Sequence, residues 1–227
     1  MSLMPCIQIK ICCISSVEEA KLAIKNGADA LGFVSAMPSG AGVIDEKLIP
    51  QIVSTVPPPI ATFLLTSLVK TEEIISQILR CNTNTVQLVD RVETEVYNKI
   101  HRELPWIKIV QVIHVNDKKS IREAELISPF IDALLLDSGN QSLPIKELGG
   151  TGRVHDWSIS KTICEIIDKP VILAGGLNNT NVKEAIITVH PYGVDVCSGL
   201  RTDGILDEKK LKQFIISVKN AELENHY

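Results

Sequence analysis

The sequence has no long apolar run and few aromatic side chains, which make up 4% of its 227 residues. No window approaches the roughly 18 consecutive apolar residues from which a membrane-spanning helix is built. The first residues, MSLMPC, contain neither the basic region nor the apolar region of an export signal. We therefore expect a cytoplasmic protein that has no membrane partner.

A dense basic cluster is absent as well, because the 23 lysines and arginines are spread along the chain and are outnumbered by 27 acidic residues. The richest basic stretch, residues 116–123, reads NDKKSIRE and is typical of a solvated helix start. A nucleic-acid surface must neutralise several phosphates with lysine or arginine. The net charge of −4 therefore argues against a nucleic-acid partner.

The cysteines show no C-x-x-C spacing, and the chain is longer than the small secreted scaffolds that depend on disulfides. The pattern predicts neither a zinc site nor a structural disulfide. The adjacent pair in the sequence IQIKICCISS leaves four interpretations open: a redox device, half of a metal site, a catalytic thiol beside a bystander, or two core residues. Packing is the expected role of the other four. The six cysteines are Cys6, Cys12, Cys13, Cys81, Cys164 and Cys197.

Short runs of β-branched and apolar residues alternate with longer segments of helical period, which is the pattern of repeated βα units around a parallel sheet. Eight such units predict an α/β fold of the (β/α)8, or TIM barrel, class in a single domain covering residues 1–227. A doubly wound sheet would usually carry a Gly-x-Gly-x-x-Gly turn after its first strand, and that motif is absent. The predicted strands cover residues 7–13, 29–34, 60–65, 84–89, 107–113, 131–136, 170–174 and 193–197. The predicted helices cover residues 16–26, 45–55, 71–81, 93–103, 117–127, 158–167, 179–188 and 207–221.

Two loops after predicted strands are rich in small residues. LAGGLNN contains Gly175 and Gly176, and VCSGLR contains Ser198 and Gly199. Backbone N–H groups in such turns can approach a ligand closely, and barrels commonly bind phosphate after strands seven and eight. Either turn alone could serve only the backbone. The occurrence of both at these two strands favours a phosphate site.

Strand alternation separates the two adjacent cysteines. Residues 7, 9, 11 and 13 are Ile, Ile, Ile and Cys, so this side is expected to pack on the helices, and Cys13 with it. Lys10 and Cys12 lie on the other side and are expected to point into the barrel mouth. A neighbouring cation favours the thiolate form of a cysteine. The alternative is that both thiols are simply packed.

Asp137 ends the run IDALLLD at the exit of the sixth predicted strand. A carboxyl group at the edge of a buried strand can hold a proton for general acid catalysis near neutral pH. It could instead cap a helix or pair with Arg153 or Lys146. The residue pattern leaves both roles open.

Seven segments, taken in chain order, match one enzyme family over nearly the whole chain. They read IKIC, NGADALGFV, DALLLDS, LGGTGRVHDWS, VILAGGLNNTNVKEAI, GVDVCSG and DEKKLKQFI. LGGTGRVHDW together with AGGLN is the specific part of the pattern. The set resembles the phosphoribosylanthranilate isomerase family of tryptophan biosynthesis. That resemblance implies a (β/α)8 enzyme that converts N-(5-phosphoribosyl)anthranilate, an aminoaldose, into the aminoketose phosphate by an Amadori rearrangement.

The resemblance also implies roles for individual residues. By position, Cys12 matches the general base and Asp137 the general acid of an aldose–ketose isomerase, an intramolecular oxidoreductase that needs no metal and no organic cofactor. Asp195 matches a residue that contacts the sugar hydroxyls. The family includes monomers and homodimers, so either state is expected, with a small phosphorylated sugar as the substrate. The candidate substrate-binding residues are Lys10, Gly175, Gly176, Asn178, Asp195, Ser198, Gly199 and Arg201.

The segment after the second predicted strand departs from the family pattern. The family usually carries a basic residue there that grips the anthranilate carboxylate, whereas MPSGAGVI lies in a stretch without Lys or Arg between Lys25 and Lys47. A buried carboxylate without a cation is unfavourable. We hypothesise that Arg201 or Arg153 provides the charge, that backbone N–H groups of the turn at 39–42 do so, or that the non-sugar half of the substrate differs.

Other departures keep alternative functions open. The family's KICG reads KICC here, so Cys13 replaces a glycine, and its QLHG after the fourth strand reads QLVD, with Val89 and Asp90. One alternative is an Amadori-type isomerase of a different phosphoribosyl amine. Another is a phosphate-binding barrel without turnover, although a pure binder has no need of both an acid and a base.

Overall fold

Eight parallel strands close into a barrel in the computed structural model, which describes residues 6–38, 40–139, 146, 148 and 152–224. Each strand pairs with the next along the chain, and the eighth returns to pair with the first. The predicted (β/α)8 fold is confirmed, because all eight predicted strands and all eight predicted helices are present within a few residues of their expected positions. The extension of one domain over residues 1–227 stays a prediction.

The strands are short, and a helix follows each of them. The strands are β1 Gln8–Ile11, β2 Ala30–Val34, β3 Ala61–Thr66, β4 Thr85–Leu88, β5 Lys108–His114, β6 Ala133–Asp137, β7 Val171–Leu173 and β8 Gly193–Val196. The helices are α1 Val17–Lys25, α2 Leu48–Val53, α3 Thr71–Cys81, α4 Thr94–Glu103, α5 Lys119–Ile127, α6 Trp157–Ile166, α7 Val182–Val189 and α8 Glu208–Glu224. In these ranges, no helix is both long enough and apolar enough to cross a bilayer.

The apolar side chains form two clusters, one on each face of the sheet. Ile9 and Ile11 of β1 belong to the larger cluster, between the strands and the helices. Lys10 points the other way, into the barrel, where it is 2% exposed and its Nζ lies 5.1 Å from the centre of the Phe63 ring. The predicted alternation is therefore confirmed for these β1 residues, and it delivers a charged side chain into the interior.

Cys13 does not follow that alternation, and its predicted packing against the helices is wrong. β1 ends at Ile11, and Cys13 has a φ of +64°, in the left-handed region that glycine adopts freely. Alternation holds only for extended backbone, so the Cys13 side chain turns to the smaller cluster at the barrel mouth. There it forms a disulfide with Cys197, which follows β8. The prediction that the chain contains no structural disulfide is wrong as well.

A short hairpin that the sequence pattern did not reveal follows β8. It consists of β9, Arg201–Thr202, paired antiparallel with β10, Ile205–Leu206. The Arg201 guanidinium pairs with Glu19 Oε1 at 2.9 Å and donates to the carbonyl oxygen of Cys13. Glu19 also accepts hydrogen bonds from the backbone N–H groups of Ser15 and Leu206. This network fixes the end of β1 against the hairpin.

The disulfide is expected to contribute measurably to stability, because it joins residues 184 positions apart. Closing so long a loop restricts the unfolded chain, and a bridge of this kind stabilises a fold by about 2–4 kcal/mol. Cys197→Ser should therefore lower the free energy of unfolding, measured with urea, by about that amount when no reductant is present.

The same measurement in dithiothreitol supplies the control, because reduction should bring wild type down to the level of Cys197→Ser. Cys164→Ser, which changes a free and partly exposed thiol, should leave the reductant effect intact. The prediction would be contradicted if dithiothreitol did not change the urea unfolding curve of the wild-type protein.

Candidate active site

A cavity opens at the carboxyl ends of the strands, with about 690 Å³ of space including its mouth. Cys12 after β1, Asp137 at the end of β6 and Asp195 in β8 all line it. The loops after β7 and β8 contribute Gly175, Gly176 and Ser198. Residues far apart in the sequence thus meet because parallel strands place all their carboxyl ends at one face of the barrel.

A buried cluster of three ionisable groups lies at the base of the cavity, with Cys12 and Asp195 in its lining and Lys10 beneath them. Lys10 Nζ lies 2.9 Å from Asp195 Oδ1, and the side chains of both are less than one-tenth exposed. Cys12 is 5% exposed. A Cβ atom on Gly32 of β2 would stand 2.8 Å from Cys12 Sγ and 3.0 Å from Lys10 Nζ. The glycine at this position therefore makes room for the thiol and the ammonium group to lie side by side.

Burial controls the protonation of this cluster. Burial raises the pKa of the Cys12 thiol to about 11, although the charge of Lys10 acts in the opposite direction. Burial also raises the pKa of Asp195 against the attraction of Lys10. For Lys10 itself, burial alone would lower the pKa, but Asp195 and Cys12 outweigh it and raise the pKa. Lys10 thus lies where strand alternation placed it and acts to lower the pKa of Cys12, but burial has the larger effect.

Asp137 presents its carboxyl group to the opposite side of the cavity. Its Oδ1 accepts hydrogen bonds from the backbone N–H of Ser138 at 2.7 Å and from the Ser138 hydroxyl at 3.4 Å. Lys146, which the sequence offered as a partner for Asp137, pairs instead with Asp90 at 2.5 Å. The Asp137 carboxyl thus lines the cavity and is held in orientation by its own neighbour.

His155 lies beside Asp137, and residue-by-residue reading of the sequence missed it. A Cβ atom on Gly175 would stand 3.1 Å from both Asp137 Oδ1 and His155 Nδ1. The other ring nitrogen, Nε2, lies 2.7 Å from the hydroxyl of Ser160. The only signal available was the HDW run in the family-like segment, and its spacing alone assigns the histidine no role.

Three glycines allow the loops after β6, β7 and β8 to stack backbone against backbone. A Cβ on Gly176 would stand 2.7 Å from the carbonyl carbon of Arg153, and one on Gly199 would stand 2.1 Å from the carbonyl oxygen of Leu177. Gly152 has a φ of +69° and its carbonyl oxygen also contacts the Gly176 position. The loops are therefore closely packed, and the glycines leave their own positions free of side chains.

Asn178 has a different position from the one the sequence suggested. Its Oδ1 accepts hydrogen bonds from the backbone N–H and the hydroxyl of Thr180, while its own N–H donates to Asn181 Oδ1. Neither Asn178 nor Gly199 lines the cavity. Both support the shape of the loops that do.

The hypothesis that Arg201 supplies a cation to the substrate is not supported by its contacts. Arg201 does not line the cavity, and its guanidinium is held by Glu19 and the backbone of Cys13 and Gly204. The Arg201 side chain is only 9% exposed among these partners, because the hairpin places it against the end of β1. Among the described residues, the cavity lining contains no lysine or arginine. The proposed N–H groups of the 39–42 turn include Ser39, which lies outside the described residues.

A family model described as N-(5'phosphoribosyl)anthranilate (PRA) isomerase matches residues 9–217. The chain belongs to this family. It is 38% identical to N-(5'-phosphoribosyl)anthranilate isomerase 2 of Methanosarcina mazei, over 96% of this chain and 100% of that protein. It is 37% identical to the corresponding isomerase of Bacillus cereus, over 95% and 99% of the two chains. The resemblance drawn from the seven segments is thus confirmed.

Solved structures of the family superpose on the barrel. Phosphoribosyl anthranilate isomerase from Thermotoga maritima does so with a TM-score of 0.81 at 29% identity, covering 94% of this chain and 99% of that one. Another family member, at 27% identity and a TM-score of 0.79 with the same coverage, was solved in complex with reduced 1-(o-carboxyphenylamino)-1-deoxyribulose 5-phosphate. A phosphorylated sugar derivative therefore binds a closely similar fold.

Gly175 provides a test of how tightly this side of the cavity is built. Gly175 has a φ of +85°, a left-handed conformation that alanine adopts only with strain. In Gly175→Ala the new methyl group would also lie 3.1 Å from Asp137 Oδ1 and displace it. We expect a loss of about 1–2 kcal/mol in unfolding free energy and a fall of at least about tenfold in turnover of the family's substrate.

Gly204→Ala is the matched control, since Gly204 has a φ of +80° and a Cβ there would meet nothing within 4 Å. Its loss of stability should be similar, while turnover should remain near that of wild type. Equal turnover in the two variants would show that the space beside Asp137 does not matter.

Proposed function

We propose that this chain converts N-(5'-phosphoribosyl)anthranilate into the 1-deoxyribulose 5-phosphate product by an Amadori rearrangement, with Cys12 as base and Asp137 as acid. The observation that carries the proposal is the pairing of a thiol and a carboxyl group across one cavity, on β1 and β6, in a chain of this family. An aldose–ketose conversion needs a group on each side of the sugar because one proton is given and another is removed. A barrel that only bound phosphate would need neither group.

In the first step, the protonated Asp137 carboxyl donates to the furanose ring oxygen. The bond between that oxygen and C1 breaks, and the nitrogen lone pair forms the C1=N bond of a protonated Schiff base. The Ser138 hydrogen bonds to Oδ1 stabilise the carboxylate that is left.

In the second step, Cys12 removes the proton from C2, the electron pair of that bond forms the C1=C2 bond, and the π pair of the C1=N bond moves to the nitrogen. The resulting enolamine becomes the aminoketose when C1 gains a proton and the C2 hydroxyl loses one, so the reaction is balanced without an external oxidant. The buried thiol must first lose its proton, and Lys10 is the cation that supports the thiolate. A thiolate of high basicity is well suited to removing a carbon-bound proton.

The phosphate is proposed to bind at the stacked glycine loops, between residues 175–178 and 198–201. Gly176 and Ser198 line the cavity there, and the absence of side chains at the glycines lets backbone N–H groups approach an anion. Asp195 reaches the same cavity from β8 and is proposed to contact the sugar hydroxyls. The remaining wall, toward β2, is formed by apolar side chains such as Val34 and Met37, and would receive the aromatic ring.

A different phosphoribosyl amine is the second candidate substrate, and one observation favours it. The described cavity lining offers no cation to the anthranilate carboxylate. The acid–base chemistry would be the same, because it involves only the sugar and the attached nitrogen.

We expect the protein to act in the cytoplasm as a monomer or a homodimer, on a small phosphorylated sugar derivative.

Turnover is the direct test. Purified protein mixed with phosphoribosylanthranilate should cause its fluorescence to decay, and Cys12→Ser and Asp137→Asn should each slow that decay by at least about a hundredfold. Cys6→Ser, which changes an exposed cysteine away from the cavity, should match wild type. If wild type does not consume this compound, the anthranilate substrate is excluded, and turnover of another phosphoribosyl amine would favour the second candidate.

The charge balance around Cys12 predicts opposite effects of two neighbouring substitutions. Only the thiolate reacts with iodoacetamide, so alkylation of Cys12 should accelerate about tenfold per pH unit until the pH approaches the thiol's pKa of about 11. Lys10→Met removes the charge that lowers this pKa and should slow alkylation at pH 8. Asp195→Asn removes a charge that raises it and should speed alkylation at the same pH.

Mass spectrometry of the peptide that contains Cys12 measures this rate separately, with the exposed Cys6 in the same sample as a check on reagent and time. Rates that change in the same direction in both variants would indicate altered access to the thiol rather than altered charge.

A further inference from the structure

We propose that His155 is a positioning residue for Asp137: its neutral imidazole carries its proton on Nδ1 and, when substrate is bound, donates a hydrogen bond to Asp137 Oδ1, so that the acid's own proton resides on Oδ2. The inference rests on the proposed function, because it concerns the acid of that reaction. It adds a residue to the site that neither the segment pattern nor the family match assigns.

The imidazole of His155 is held at one ring nitrogen, and the residue directly precedes a helix cap. Its Nε2 lies 2.7 Å from the hydroxyl of Ser160, a residue of α6 that is completely buried. The next residue, Asp156, caps the same helix by accepting a hydrogen bond from the Ser158 N–H. The ring therefore cannot rotate freely, and its second nitrogen has a defined direction.

The second nitrogen lies near Asp137. His155 Nδ1 is buried and has no hydrogen-bond partner among the described residues. It shares with Asp137 Oδ1 the space beside Gly175, since a Cβ atom there would stand 3.1 Å from each. The two atoms are not yet hydrogen-bonded, but catalytic hydrogen bonds often shorten when substrate binds, and a glycine at 175 leaves the path between them open.

Charge selects the tautomer. Burial lowers the pKa of His155, and the nearby carboxylates of Asp137 and Asp156 oppose this only in part, so the ring is neutral at pH 7 and carries one N–H. An N–H facing a carboxylate is favoured over a lone pair facing it. The proton therefore belongs on Nδ1, and the Ser160 hydroxyl donates to Nε2.

The contacts of Asp137 determine which of its two carboxyl oxygens carries the proton. Asp137 Oδ1 already accepts from the N–H and the hydroxyl of Ser138, and His155 adds a third donor to the same atom. An oxygen surrounded by donors is a poor place for a proton, so the acid form is protonated on Oδ2. Once that proton has moved to the sugar, the donors at Oδ1 stabilise the carboxylate.

Two substitutions separate positioning from packing. In His155→Asn the side-chain amide nitrogen can occupy the place of Nδ1, whereas in His155→Gln the longer side chain places its amide near Nε2, toward Ser160. We expect His155→Asn to keep kcat within about threefold of wild type, and His155→Gln to lower kcat about ten- to a hundredfold with KM changed less than about twofold. If the histidine served only to pack against Ser160, His155→Gln would be the better-tolerated variant, and that order would overturn the inference.

The tautomer can be measured without turnover. Nitrogen-15 NMR of the imidazole rings at pH 7, with the His155 signals identified by their loss in His155→Gln, should show the proton on Nδ1. A proton on Nε2 would refute the inference whatever the activities are. If wild type fails to turn over phosphoribosylanthranilate but the Nδ1 proton is found, the proposed function is wrong and the contact between His155 and Asp137 is right.

Discussion

The buried ion pair between Lys10 and Asp195 is the interaction on which the rest of the site depends. The two residues are direct partners in the register of β1 and β8, so closing the barrel is what brings their charges together. Neither could be buried alone, because an unpaired charge in such a place costs about 3–5 kcal/mol. Once paired, they leave an ammonium group beside Cys12 and a carboxylate at the cavity floor. Barrel closure therefore also places a cation beside Cys12, the proposed base.

The alternation of strands and helices could be predicted from the sequence, and so could the interior position of Lys10. Both follow from the spacing of apolar residues, and the packing of the folded protein agrees with that spacing. The positions of Cys12 and Asp137 at the carboxyl ends of two strands could be predicted as well, and both residues line the cavity, while their catalytic roles stay predictions. The direction of the Cys13 side chain could not be predicted, because strand alternation assumes extended backbone and Cys13 has a left-handed conformation. Arg201 was misjudged for a related reason: the hairpin that buries it spans only a few residues and carries no periodic signal.

His155 shows a second limit of sequence reasoning. Its proximity to Asp137 depends on the space beside Gly175, which forms only when the loops have packed together. The tight contacts at Gly176 and Gly199 are of the same kind, since each is defined by the backbone of another loop. Turn-forming glycines can be recognised in a sequence, but which carbonyl each of them will meet is decided by the fold.

The bridge between Cys13 and Cys197 makes most of the chain a covalently closed ring from which two tails emerge. A proteolytic machine that pulls from the amino-terminal side reaches the bridge at Cys13, and one that pulls from the other side reaches it at Cys197 after α8 and the hairpin. Beyond the bridge, two segments of polypeptide must enter the pore of the protease side by side unless the disulfide is first reduced. The bridge thereby determines whether the unfolded chain is a ring with two tails or a linear polypeptide.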